Sequence, residues 1–138
     1  MTLFKNTLSC AMGQPAVTTM SGAKDVEIGP PVEYGGSADT LNPEELFVAS
    51  INSCLMLVFY HFAAKSGLEI ERYDSQAEGA VEKTRNGLRF ANVSVRVQVK
   101  VQEADATRKL AELAELAERF CLVSNSVSCP VSYNVTAV

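Results

Sequence analysis

Four cysteines and one histidine supply most of the nucleophilic and metal-binding chemistry open to this chain of 138 residues. Cys54 lies midway along NPEELFVASINSCLMLVFYHFAAKSG, residues 42–67, where His61 is the only side chain between Leu46 and Ala64 able to carry charge at neutral pH. A cysteine in such a stretch ordinarily packs as a small hydrophobe. Two features favour reactivity instead: the small polar residues Asn52 and Ser53 precede Cys54, and a second thiol, Cys121, ends another helical pattern on its apolar stripe. If both helices pack on one sheet, the two sulfurs can meet. Cys10 and Cys129 fall in or beside strand patterns, where packing is the expected role. Cys54, His61, Cys121 and Cys129 could also be read as zinc ligands, but the chain has no C-x-x-C and lacks the paired spacing of structural zinc sites, so no metal or cofactor is expected. There is no G-x-S-x-G, no phosphate loop and no plausible Ser-His-Asp set.

The elements that must position these thiols can be read from pattern. Short segments rich in Val, Ile, Thr and Phe, LFKNTLSC, AVTTM and KDVEI, are separated by MGQP and SGA and read as strands joined by turns. GPPVEYGGSADT is a loop by its Pro and Gly content. Asn42 can then cap a helix, with Pro43 at its first position and Glu45 completing a capping box, and the helix should end near Gly67. LEIERYDSQAEGAVEKT and LRFANVSVRVQVKV flank RNG as a hairpin, the second strand placing Val93, Val95, Val97, Val99 and Val101 on one face. ADATRKLAELAELAERFC puts Leu110, Leu113, Ala114, Ala117 and Cys121 on one helical stripe, and VSYNVTAV is a last strand. The order predicts an α+β domain rather than alternating βαβ units.

The first helix is apolar nearly all round, so it must be covered on every side, which a chain of this size can hardly do alone. We therefore expect a homodimer with this helix at the interface. The stretch is long enough to span a membrane, which takes about 20 apolar residues, but Ser50, Asn52, Ser53 and His61 interrupt it. A net charge of −4 and the lack of any Lys or Arg run argue against nucleic-acid or anionic-membrane binding. The N-terminal MTLFKNTLSC lacks the features of a signal peptide, which predicts a cytoplasmic protein with its thiols reduced at rest.

NPEELFVASINSCLML, followed after a hairpin and helix by AERFCLVSNSV, resembles the OsmC/Ohr family of cysteine-dependent peroxidases, and the order of elements agrees over nearly the whole chain. The resemblance implies a single OsmC-like domain over residues 1–138, forming an intertwined α+β homodimer with two central helices packed on antiparallel sheets, that reduces organic hydroperoxides. Cys54 matches the family's peroxide-attacking cysteine. The second cysteine resolves the resulting sulfenic acid as a disulfide, which dithiols or lipoylated proteins reduce. Cys121 takes that role by resemblance, because it follows directly on the second helix and CLVSN keeps the Ser and Asn three and four residues later. Cys129, in CPVS, competes for it. Leu122 stands where the family usually has proline.

Glu44 matches the family's active-site glutamate, which normally holds a catalytic arginine, though an acid in a first helical turn also interacts favourably with the helix dipole. Along one straight helix, Glu44 would lie about 15 Å from Cys54. The family's arginine lies in the N-terminal strands or their turns. Here no arginine precedes Arg72, and Lys24 is the nearest cation to such a turn. Arg72, Arg85 and Arg89 of the hairpin are the other candidates to stand in for it. The alternative is an OsmC-like protein that binds a small ligand in an apolar interfacial pocket without turnover.

Overall fold

Asn42 starts the long helix as its sequence predicts, its side-chain oxygen accepting the backbone N–H of Glu45 at 2.7 Å. The helix, α1, runs Pro43–Lys65 in the computed structural model, which describes residues 1–20, 22, 24–102 and 106–138, with Ala106 as backbone only. It closes at Gly67, whose positive φ of 69° lets the chain turn back so that the Leu68 N–H reaches the Ala63 carbonyl at 3.0 Å.

The chain separates into two compact units, Met1–Phe47 and Val48–Val138, the boundary falling within α1. The first unit carries three short strands, β1 (Asn6–Ser9), β2 (Ala16–Met20) and β3 (Val26–Ile28), in an antiparallel sheet of that order. Asn6 ties β1 to β2 through Thr18 at 2.7 Å, and Thr18 is buried. The expected SGA turn includes Ser21 and Ala23, which lie outside the described residues.

The second unit holds β4 (Ile70–Thr84), β5 (Gly87–Val101), α2 (Ala106–Phe120) and β6 (Val131–Ala137). β4 and β5 form the expected hairpin, turning over Arg85 and Asn86 into Gly87 at a φ of 104°. Val93, Val95, Val97 and Val99 are buried as their alternation predicts, and Val101 is half-buried. On α2, Leu110, Leu113, Ala117 and Cys121 are buried and Ala114 half-buried, while Ala104 and Asp105 of the predicted helix lie outside the described residues.

The strand directions differ from expectation in one respect. β6 pairs parallel to β5, from Val93 beside Val131 to Val99 beside Ala137, so this sheet is mixed rather than antiparallel. The physical reason is the α2 crossover, which carries the chain back along the sheet before β6 begins.

α1 buries one stripe, Ile51, Leu55, Phe59 and Ala63, at the four-residue spacing of a helix face. The rest is not covered within the single chain: Leu57 is 63 % exposed and Tyr60 37 %. At Gly79 the sheet admits α1 closely, because a Cβ there would stand 2.7 Å from both Val48 Cγ2 and Phe90 Cε1.

Candidate active site

The buried stripe of α1 fixes where Cys54 stands. It comes three residues after Ile51 and just before Leu55, so it occupies the stripe's edge and is half-buried. Two contacts hold this part of the helix on the sheet. The Ser75 hydroxyl of β4 donates to the Asn52 side-chain oxygen at 2.8 Å, and the Phe59 and Tyr73 rings lie 5.5 Å apart. Phe62 of α1 packs on Phe120 at the end of α2, with ring centroids 5.5 Å apart.

Cys121 leaves α2 immediately after Phe120 and is fully buried. The turn beyond it is tightly tied. Asn125 donates from its side chain to the Arg119 carbonyl at 2.9 Å and from its backbone to the Cys121 carbonyl at 3.1 Å. The Ser124 N–H points at the Cys121 sulfur, 3.4 Å away, and the Ser124 hydroxyl donates to the Cys121 carbonyl at 3.4 Å. These bonds account for the Ser and Asn of CLVSN: they satisfy carbonyls left open where the helix ends.

Cys121 and the backbone of Val123 and Leu122 come near enough to Cys54 to influence its thiol. Burial pushes the Cys54 thiol above the ordinary thiol range. The Val123 N–H works against that rise, the neighbouring Cys121 adds to it, and the Leu122 N–H opposes it more weakly. On the same sheet, the Tyr73 and Tyr133 hydroxyls meet at 2.6 Å.

The remaining predicted residues are placed as follows. Glu44 belongs to the first unit, in the first turn of α1, and its Oε2 is buried with no hydrogen-bond partner among the described residues. Lys24, also in the first unit, is exposed. Arg72 is bound to Asp74 at 2.6 Å on the exposed side of β4, and Arg85 and Arg89 are exposed near the hairpin tip. His61 is exposed, with its ring 5.2 Å from that of Phe62. Among the described residues, no three His, Cys, Asp or Glu side chains are grouped to hold a metal ion. Cys10 is exposed and Cys129 is buried.

A polar cleft of about 530 Å³ lies on the second unit's sheet, lined by Asp74, Gln76, Arg96, Gln98, Asn134 and Thr136 among others, and contains neither cysteine. Sequence reading missed this cleft, the tyrosine pair and the N–H groups after Cys121. Backbone donors leave no trace in residue types, although the Ser and Asn of CLVSN marked the turn that presents them.

The sequence pattern of the OsmC-like protein family matches residues 36–136, and the chain belongs to that family. Its fold is that of an OsmC-like protein of unknown function, VCA0330, from Vibrio cholerae, at a TM-score of 0.89 and 23 % identity, covering 99 % of this chain and 100 % of that one. An organic hydroperoxide resistance protein OsmC from Legionella pneumophila matches at a TM-score of 0.76 and 19 % identity, covering 99 % of this chain and 97 % of that one. Among curated proteins, the uncharacterized protein MJ0573 of Methanocaldococcus jannaschii is 27 % identical over 101 residues, or 73 % of this chain. The match spans 52 % of that relative's length, so this chain corresponds to about half of it.

Proposed function

We propose that this chain is a thiol-dependent peroxidase for organic hydroperoxides, with Cys54 as the attacking thiol and Cys121 as the resolving one. The observation that carries this reading is that Cys54 and Cys121, far apart in the chain, come near enough for Cys121 to influence the Cys54 thiol. The Legionella neighbour, named an organic hydroperoxide resistance protein, points the same way.

The Cys54 thiolate attacks the outer oxygen of a hydroperoxide, the O–O bond breaks, and the alkoxide leaves to take a proton as alcohol, giving Cys54 sulfenic acid. The Cys121 sulfur then attacks the Cys54 sulfur. Hydroxide leaves, takes up the Cys121 proton as water, and a disulfide remains. A dithiol, free or on a lipoylated protein, reduces the disulfide by two successive exchanges and is itself oxidised to a disulfide. Glu44 is assigned a positioning role in this scheme. The chain works as one domain over residues 1–138, in the cytoplasm, as a homodimer in which a second copy covers the exposed face of α1 around Leu57 and Tyr60.

A second reading, an OsmC-like protein that binds a small ligand without efficient turnover, is favoured by one observation. Burial raises the Cys54 thiol and, among the described residues, no side-chain cation lowers it. Repeated turnover of cumene hydroperoxide with dihydrolipoamide decides between the two. Stoichiometric oxidation without turnover, or none at all, would remove the peroxidase reading.

A further inference from the structure

One short turn ties residue 121 at both its main chain and its side chain. The Cys121 carbonyl accepts from the Asn125 N–H at 3.1 Å and from the Ser124 hydroxyl at 3.4 Å, while its sulfur accepts from the Ser124 N–H at 3.4 Å. The Asn125 carboxamide closes the loop by donating to the Arg119 carbonyl at 2.9 Å, and Ser126 bonds the Leu122 carbonyl at 2.7 Å and the Val123 carbonyl at 3.0 Å. Each of these bonds runs back onto residues 119–123, so the turn fixes its own shape. A thiol sulfur is a weak acceptor, and the Ser124 N–H can hold it in one rotamer only if the turn first holds that N–H in place. Asn125 does this from outside: it is exposed, whereas Cys121 is fully buried.

As a cap on α2 alone, Asn125 would add stability and nothing more. The bond to the sulfur gives it a further role. We propose that Asn125 is a positioning residue for Cys121, clamping the turn so that the Ser124 N–H stays on the sulfur and the thiol is aimed for attack at Cys54. The proposal rests on the reading of Cys121 as the thiol that closes on Cys54. An attacking sulfur must approach in line with the bond that breaks, so a change of rotamer at Cys121 slows closure even when the two residues stay near each other.

Closure can be timed without peroxide. In a chain carrying Cys10→Ser and Cys129→Ala, the Cys54 thiolate attacks 2,2′-dithiodipyridine and releases one pyridine-2-thione; Cys121 then attacks the Cys54 sulfur, releases the second thione and leaves the Cys54–Cys121 disulfide. Asn125→Ala should leave the first release unchanged and slow the second by roughly three- to tenfold, the rate equivalent of one hydrogen bond. The factor should be the same from pH 6 to pH 8, because orientation rather than ionisation has changed. A second variant removes the direct bond: residues 1–120 as a thioester are ligated to a synthetic peptide of residues 121–138 in which an ester replaces the amide of residue 124, so that its N–H is lost. This ester should slow the second release by a similar factor relative to the all-amide ligated chain. Thr136→Val, which loses a bond to the Val97 carbonyl away from the turn, controls for lost stability and should leave the ratio of the two rates unchanged. An unchanged ratio in Asn125→Ala or in the ester would overturn the proposal, as would equal slowing by Thr136→Val. Release of one thione only in the parent chain would overturn both this inference and the peroxidase reading. Normal closure without peroxide turnover would refute that reading and leave the slowing by Asn125→Ala to decide this one.

Discussion

The hydroxyls of Tyr73 on β4 and Tyr133 on β6 meet at 2.6 Å, linking the two outer strands of the sheet across β5. Burial is the main cause that pushes Tyr73 up to about 12, and burial with the Tyr73 contact raises Tyr133 further. A phenol whose folded pKa is raised contributes stability that is fully present below the ordinary tyrosine pKa and is lost as pH rises through the folded value.

Tyr133→Phe should therefore destabilise the protein by about 1–3 kcal/mol, because it leaves the Tyr73 hydroxyl part-buried without its partner. The double change to Phe should cost less than the sum of the two single changes. Urea unfolding measures all three variants, and a single Tyr133→Phe as stable as the parent would contradict the assignment.

Peroxide should convert the reduced protein to a disulfide between Cys54 and Cys121. Peptide mapping after one equivalent of cumene hydroperoxide identifies the linkage, and a dominant bond to Cys129 or Cys10 would sink it. Cys54→Ser should abolish oxidation, while Cys121→Ser should leave a sulfenic acid at Cys54 that a dimedone probe captures.

Oxidation of Cys54 should be slow at pH 7 and climb towards pH 9. The sign follows from burial: a thiol raised above its ordinary range holds its proton at neutral pH, so only a small fraction is thiolate, and that fraction grows about tenfold per pH unit until the pKa is reached. Stopped-flow oxidation across this range checks it. A fast rate independent of pH above pH 6 would show that the anion is already formed.

The protein should be a dimer at low micromolar concentration, with α1 at the interface. Leu57→Glu should shift it towards monomer and aggregate, since a charge on this apolar face opposes burial. Light scattering reads the mass, and a stable monomer in the parent protein would exclude the arrangement.

Much of the fold was legible because periodicity was strong. The alternation of Val93 to Val99 and the stripe from Leu110 to Cys121 each admit one reading, and Asn42 and Gly67 mark the ends of α1 by side-chain capping and positive φ. The direction of β6 was not legible, because a strand's sequence does not say which way its neighbour runs. Of the candidate site, Cys54 and Cys121 were singled out by family resemblance, the residues alone allowing a packing role. Their surroundings were not legible: the Ser124 N–H that points at the Cys121 sulfur is a backbone group, placed only by the path of the turn.

The order in which these parts leave the ribosome has its own consequence. Cys54 is made 67 residues before Cys121, which at 5–20 residues per second is roughly 3–13 s of synthesis. During that interval neither the turn after α2 nor Cys121 exists, and β6, which pairs with β5 from Val131 onward, is later still. The nascent chain thus carries Cys54 as an ordinary thiol. On the peroxidase reading, the attacking thiol is thus made well before the thiol proposed to resolve it, and translation itself separates the two halves of the chemistry in time.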